Sequence, residues 1–569
     1  MSAETKIVLP TMEGRSALLA GAPTLSVPDE EYRSIRRARV RIFMGVAVFS
    51  LVFFLLVARL AEVSMFRAPR VITNMVVNEM VQRADIIDRN GELLATSLAT
   101  YSLFADAREV WDPVASTEAI TAVFPDLDAA VIEERLSSKK AFIWVKRNLS
   151  PRERQAAFEL GLPELGFRIE PRRVYPRGRL AAHVLGFTDI DMNGTAGAER
   201  AFNEALSAQG AAPVPLSIDM RVQFVLDEQL RMGMVKYEAL AASGVVVNIK
   251  TGEILAMVSL PDYDPNLPGA AEKNELLNRA SMQPYELGST FKPITMALAL
   301  ETGVIQEGEL LQVQNKLVVR KKSIKDDHPS HEPLGLYDVL AQSSNRGAAI
   351  LALRAGPEAQ QDLLRRLGLF SRVPFELKES TSPIVAREWQ DITTVTVSYG
   401  HGISVTPLAL TTALAALLND GLYVQPTLTR RAASDVPSGR RVISKATSDE
   451  MVKMMRYVVT NGTGRNAAVS GYEIMGKTGT AEKLIDGAYD KKRLVTSFVA
   501  AFPARDPEYL VYVVYDEPKA YEGSYGYATA GWNAAKTAGP VVERIAPILG
   551  VKRTIKITQS EQLAAGGGR

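Results

Sequence analysis

The sequence predicts an α/β domain with an antiparallel sheet flanked by helices, joined to an elongated α+β pedestal and one N-terminal transmembrane helix. Three observations carry this reading. Residues 42–58 are an uninterrupted apolar run. Two pairs of apolar runs, 244–249 with 253–258 and 497–502 with 509–515, are each joined by a short Gly- or Pro-containing segment and read as β-hairpins. Between the hairpins lies a long α-rich insert, and residues 531–548 are helical in pattern, so a sheet built from both ends of one segment accounts for the order.

At 569 residues the chain is too long for one ordinary domain, and roughly 150 residues per domain implies three or four units. The expected divisions are a cytoplasmic tail over 1–40, a transmembrane helix over 41–62, the pedestal over 63–235, the α/β domain over 236–552 and a C-terminal tail over 553–569. Seventeen apolar residues span about 25 Å as a helix, and Arg59 can snorkel so that residues 60–63 extend the span. Arg33, Arg36, Arg37, Arg39 and Arg41 precede it, whereas Arg59, Arg67 and Arg70 follow. That bias keeps the N-terminus cytoplasmic and exports the remainder. A cleaved signal peptide is the alternative; the preceding polar stretch of about 40 residues is long for an n-region, and no A-x-A site follows.

Composition excludes several classes. With 66 basic and 64 acidic residues the net charge is +2, which gives no reason to expect nucleic acid as a partner. Cysteine is absent, so disulfides, thiolate metal sites and cysteine nucleophiles are excluded. The histidines, His183, His328, His331 and His401, form no H-E-x-x-H arrangement. His328 and His331 lie beside Asp326, Asp327 and Glu332, but a polar, Pro-containing surface loop explains them without a metal. No metal or cofactor is expected.

In the pedestal one helix is well marked: Ser150 as N-cap, Pro151 in the first position, Glu153 completing a capping box and Gly161 as terminator. Nothing there forms a catalytic cluster. The chemistry lies in three later segments in fixed order: Ser289-Thr290-Phe291-Lys292, Ser343-Ser344-Asn345 and Lys477-Thr478-Gly479-Thr480, the second and third beginning 54 and 188 residues after Ser289. Together they are the parts of a serine acyl-transferase that manages protons with lysine. Singly they mean little, since S-x-x-K and S-x-N each arise by chance about once or twice in a chain this long. Ser137-Ser138-Lys139-Lys140 repeats the first pattern but ends an amphipathic run like a helix C-terminus. Lys250-Thr251-Gly252 repeats the third but sits between the two runs of the first hairpin, where a turn belongs.

With these motifs in this order the chain resembles the penicillin-binding proteins. Arg83-Ala84-Asp85-Ile86-Ile87-Asp88-Arg89-Asn90-Gly91 looks like the first periplasmic motif of the class B, membrane-anchored branch. Tyr175-Pro176-Arg177-Gly178, followed by Ala182-His183-Val184-Leu185-Gly186-Phe187-Thr188 and residues 194–199, looks like the second. The likeness covers residues 40–550 and implies the penicillin-binding/β-lactamase-like transpeptidase fold, with His183 in the pedestal and away from catalysis. It leaves no room before the pedestal for the glycosyltransferase of the bifunctional class A type. Gly186-Phe187-Thr188 and Gly400-His401-Gly402 before Thr406-Pro407 look more like the division-specific branch than the elongation enzyme. The chain departs from the family at Ser344, where many members carry Asp, and at Ala409, where Gln is frequent.

The resemblance implies the substrate, the D-alanyl-D-alanine end of a peptidoglycan stem peptide, with β-lactams as covalent inhibitors, and a septal glycosyltransferase and other division proteins as partners. On this reading Ser289 opens a helix whose unsatisfied N–H groups favour a developing alkoxide. Lys292, one turn on, is a partly neutral base, its pKa lowered by partial burial and by Lys477 as a neighbouring cation. Ser343 relays a proton to the leaving amine, and Asn345 holds the substrate amide. Lys477, Thr478 and Thr480 lie on an edge strand and bind the terminal carboxylate, Gly479 permits close backbone approach, and the N–H groups of Ser289 and Thr480 form an oxyanion hole. The rival readings are a β-lactamase, a carboxypeptidase, and a β-lactam sensor or catalytically idle division scaffold.

Overall fold

The computed structural model describes residues 29–65, 83–485 and 487–554. The reading of the first residues and of the last ones as tails falls largely outside them. Two compact units divide the chain, one ending at Glu79 and one beginning at Met80. The first holds a single helix, α1 (Asp29–Met65). Within it Arg39–Ala61 is long and apolar enough to cross a membrane, 23 residues or about 34 Å of helix. It is the one such helix among the described residues.

The second unit begins with the pedestal. Strand β1 (Leu93–Ala105) pairs antiparallel with both β2 (Ile143–Leu149) and β3 (Leu165–Val174). Between β2 and β3 lies α2 (Pro151–Glu159), with both arms of the Ser150–Glu153 capping box formed and Gly161 in the left-handed region beyond its end. The sheet and its helices enclose a core of their own around Leu103, Phe124, Ile132 and Val145. At the pedestal's root, Ile86, Leu94, Tyr175 and Val184 join the large core of the C-terminal domain instead. There Glu199, wholly buried, accepts from Arg83 Nε at 2.5 Å and Arg173 Nε at 2.6 Å. His183 is also buried, its Nε2 lying 2.7 Å from the Glu275 carbonyl. Burial lowers its pKa to about 4, so it is neutral at physiological pH.

The C-terminal domain opens with α3 (Met220–Lys236), followed by the hairpin β4 (Ala241–Asn248) and β5 (Ile254–Leu260). Gly252, with φ +75°, makes the turn between them, so Lys250-Thr251-Gly252 is a turn. The helices that follow include α4 (Lys292–Thr302) and α5 (Asn345–Ala355). The chain then returns as three consecutive antiparallel strands, β6 (Met475–Ile485), β7 (Ala488–Phe502) and β8 (Tyr509–Asp516), and ends in α6 (Ala534–Ile548). Strand order is β6-β7-β8-β4-β5, so both ends of the domain build one sheet. The sequence marks only residues 497–502 of β7; its first half is polar, and the β6–β7 hairpin went unread.

Continuous apolar runs arise because this sheet is covered on both faces. Val246, Phe498, Val511 and Val513 pack in the core shared with α3 and α6, while Val245, Val499, Tyr512 and Val514 pack in the core shared with α4. Successive residues of a strand thus serve opposite layers.

Removing one partner of a buried ion pair leaves the others uncompensated, at a cost of about 3–5 kcal/mol. Glu199→Ala is therefore expected to destabilise the pedestal root by that amount, measured by urea denaturation of the purified protein. A loss below about 1 kcal/mol would show that the two arginines find other partners.

Candidate active site

Helix α4 is buried at every position from Lys292 to Ala299, as expected of a helix apolar on all sides. Its first residue is carried inside with it, and Lys292 has no exposed surface. Ser289 lies in a 3₁₀ turn, Gly288–Phe291, that leads into α4. Thr290 fastens this turn to the sheet, its Oγ1 3.1 Å from the Tyr512 hydroxyl and donating to the Leu287 carbonyl at 2.8 Å.

Four oxygens surround the Lys292 amine: Ser289 Oγ at 2.9 Å, Ser343 Oγ at 3.0 Å, the Ser343 carbonyl at 2.5 Å and Asn345 Oδ1 at 2.7 Å. The amide Nδ2 of Asn345 donates to the Lys325 carbonyl at 3.0 Å, which fixes Oδ1 toward the lysine. Two of the four, the carbonyl and Oδ1, can only accept. A neutral amine gives them its two protons and keeps its lone pair for a hydroxyl. Burial makes that form accessible, lowering the Lys292 pKa to about 7, while Asp326 and Asp327 pull against it.

Ser343-Ser344-Asn345 divides its duties. Ser343 has φ +63°, a left-handed conformation that costs a non-glycine residue about 1 kcal/mol or more. This turn aims its carbonyl and hydroxyl at Lys292. Ser344 caps α5, accepting from Gly347 N at 3.0 Å and donating to Asp326 Oδ2 at 2.9 Å. The departure from the family pattern at Ser344 thus has a structural use. The motif is thus a helix cap as well as a wall around the Lys292 amine.

Lys477 reaches the same place from β6, at the edge of the sheet. Its Nζ lies 3.0 Å from Ser343 Oγ and donates to the Thr478 carbonyl at 3.0 Å. The two lysines therefore share one hydroxyl. Burial, complete and not partial, is the main cause that lowers both lysines, and two amines sharing one hydroxyl each disfavour the charged form of the other.

Three glycines let backbones touch here. A Cβ at Gly479 would stand 2.5 Å from the Leu287 carbonyl and 2.8 Å from Thr290 Cγ2. One at Gly288 would stand 2.5 Å from the Thr480 carbonyl, and one at Gly400 would stand 2.1 Å from the Gly288 carbonyl. The Thr480 carbonyl therefore faces the Ser289 turn, and a strand residue's N–H points to the same side as its C=O. Thr480 Oγ1 accepts from Ala530 N at 3.1 Å.

Sequence reading missed several neighbours. Thr463 lies with its Oγ1 2.8 Å from Thr478 Oγ1; the flanking Gly462 and Gly464 were the available signal. His401 packs between Tyr399 and Tyr489, with ring centroids 5.5 and 5.6 Å away, and burial and the charge of Lys292 lower its pKa. Glu286 accepts from Gly402 N at 2.9 Å, and burial raises its pKa.

Residues 242–535 match the penicillin-binding protein transpeptidase domain, and residues 78–211 the penicillin-binding protein dimerisation domain. The chain belongs to the class B penicillin-binding proteins, FtsI type. It is 42% identical over 489 residues to the probable peptidoglycan D,D-transpeptidase FtsI of Caulobacter vibrioides, covering 84% of this chain and 82% of that one. It is 31% identical to the peptidoglycan D,D-transpeptidase FtsI of Escherichia coli K12, covering 86% of this chain and 88% of that one. Among solved structures, penicillin-binding protein 3 of Mycobacterium tuberculosis in its apo form aligns with TM-score 0.65 at 25% identity, over 84% of this chain and 98% of that one.

Two outcomes follow from this geometry. If neutral Lys292 takes the proton of Ser289, acylation by a penicillin rises with pH through the lysine pKa of about 7 and levels above it, because only the unprotonated amine accepts. Stopped-flow acylation rates between about pH 5 and 10 test this, and a midpoint near 10, the value of an ordinary lysine, would exclude it. Gly479→Ala forces β6 off the serine turn, and acylation is expected to fall about 10²-fold with the far-UV circular dichroism spectrum intact. Wild-type rates would show that the strand yields without cost.

Proposed function

We propose that this protein is a peptidoglycan D,D-transpeptidase of the division septum, working through an acyl-enzyme on Ser289. The observation that carries the reading is the buried Lys292 amine, 2.9 Å from Ser289 Oγ and held by two groups that can only accept, the Ser343 carbonyl and Asn345 Oδ1. The relatives named peptidoglycan D,D-transpeptidase support the substrate class, and those named FtsI support the role in division.

In the first half-reaction Ser289 Oγ attacks the penultimate carbonyl of a D-alanyl-D-alanine terminus and passes its proton to Lys292. The N–H groups of Ser289 and Thr480 receive the oxyanion, each such donor contributing about 3 kcal/mol. Asn345 holds the substrate amide. Ser343, within reach of both lysines, carries the proton to the departing nitrogen as the C–N bond breaks and D-alanine leaves. Lys477 and the hydroxyls of Thr478 and Thr480 hold the terminal carboxylate, whose arrival favours the charged form of Lys477. In the second half-reaction the amine of another stem peptide attacks the ester and loses a proton to Lys292. The C–O bond to Ser289 then breaks, the proton returns to Oγ, and the cross-link is complete. A β-lactam enters at the first step and remains on Ser289.

The helix at Arg39–Ala61 and the arginines before it support a single-pass protein with a cytoplasmic N-terminus and an exported catalytic domain. The expected neighbours are a septal glycosyltransferase and other membrane proteins of division. The domain limits 63–235 and 236–552 belong to this proposal.

Incubation of the membrane-anchored protein with a fluorescent penicillin, beside Ser289→Ala and Lys292→Ala, tests the reading. Label is expected on the Ser289 peptide by mass spectrometry, absent from the first variant and formed about 10³-fold more slowly in the second. Absence of label on folded wild-type protein would leave a scaffold role in its place.

A further inference from the structure

Residues 316–325 carry Lys316, Arg320, Lys321, Lys322 and Lys325 and no acid, in a chain whose whole net charge is +2. They form a small ribbon in which Leu317–Val319 pairs antiparallel with Lys322–Ile324. Arg320 and Lys321 make its two-residue turn, both at positive φ, a geometry usually given to Asn and Gly. Leu317, Val319 and Ile324 face inward on a small core with Ala349 of α5 and Val395. The alternation of a strand then turns Lys316, Val318 and Ser323 outward, while Lys322, opposite Val319, sits at the open end of the inner face; all five cations are exposed. Arg320 donates to the neutral Gln390 side chain at 2.6 Å, and among the described residues none of the five forms an ion pair with a carboxylate.

The ribbon is tied to the catalytic wall. Asn345 Nδ2 donates to the Lys325 carbonyl, and Arg346 donates to the carbonyls of Ile324 and Val313, each at 3.0 Å. One amide side chain therefore separates the Lys292 amine from the ribbon. Five exposed cations beside one wall of the catalytic site outnumber the buried Asp326 and the exposed Asp327 that follow them, and attract anions approaching it.

We propose that the 316–325 ribbon is a subsite for an acidic peptide, binding carboxylates of the substrate other than the terminal one held at Lys477. The proposal rests on the transpeptidase reading. Attachment to Asn345 and Arg346 favours a peptide in the cleft over an anionic membrane surface.

The test compares full-length wild-type protein with the triple variant Lys316→Gln/Lys321→Gln/Lys322→Gln, which keeps Lys325 and its contact to Asn345. D-Alanine release is followed from two peptides ending in D-alanyl-D-alanine, one with free side-chain carboxylates and one with those groups amidated. Fluorescent penicillin labelling of Ser289 in both proteins reports the transpeptidase reading separately, so absence of label in the wild type is a failure of that reading alone. Where labelling is intact, kcat/KM for the acidic peptide is expected to fall about tenfold at low salt, mainly through KM, and to converge with the wild type near 0.5 M salt. The amidated peptide should change less than twofold. An equal fall for both peptides would make the ribbon a mere support of the Asn345 wall and overturn the proposal. No fall for either would also overturn it, as would unchanged kinetics with lost binding to vesicles of phosphatidylglycerol, which would assign the cations to a lipid surface.

Discussion

The catalytic arrangement depends on one constraint, the burial of an amine at the start of an apolar helix. Lys292 is enclosed because α4 is enclosed, and α4 is enclosed because it is apolar on every side. A charged ammonium there gives up most of its hydration, and the pKa falls to about 7. The remaining elements satisfy that amine. Asn345 Oδ1 and the Ser343 carbonyl accept from it, Ser289 Oγ lies 2.9 Å away, and the Ser343 hydroxyl connects it to Lys477.

Holding this arrangement has local costs that the surroundings offset. Ser343 adopts a left-handed backbone, stabilised on one side by the Lys292 contacts and on the other by the Ser344 cap of α5. The edge strand β6 stands within van der Waals limits of the serine turn only because Gly479 and Gly288 lack side chains. The sheet beneath packs against a core on each face, and Tyr512 links it to Thr290 beside the nucleophile. Positional precision at the site therefore derives from the two-sided core. The pedestal contributes at its root, where its residues enter the same core and Glu199 joins Arg83 to Arg173.

The sequence by itself determined the membrane-spanning run, the hairpins at 244–258 and 497–515, the capping box at Ser150 and the three motif segments. These are local signals: apolar runs, turn residues and caps act over a few positions, and the order of the motifs separates them from Ser137-Ser138-Lys139-Lys140 and Lys250-Thr251-Gly252. The polar first half of β7 escaped because its partner strand, not its own composition, makes it a strand. Thr463, Glu286 and His401 escaped for a related reason, since each reaches the site through contacts distant in the chain.

Only the tertiary structure decided how strongly burial disfavours the charged form of each lysine. Sequence supplies two lysines and a rule that cations repel; it cannot supply the depth of each amine or the carboxylates of Asp326 and Asp327 that oppose the shift. Desolvation and Coulomb energy depend on distances in space. Those distances are set by how α4, α5 and the edge of the sheet pack together, residues 292, 345 and 477 being far apart along the chain.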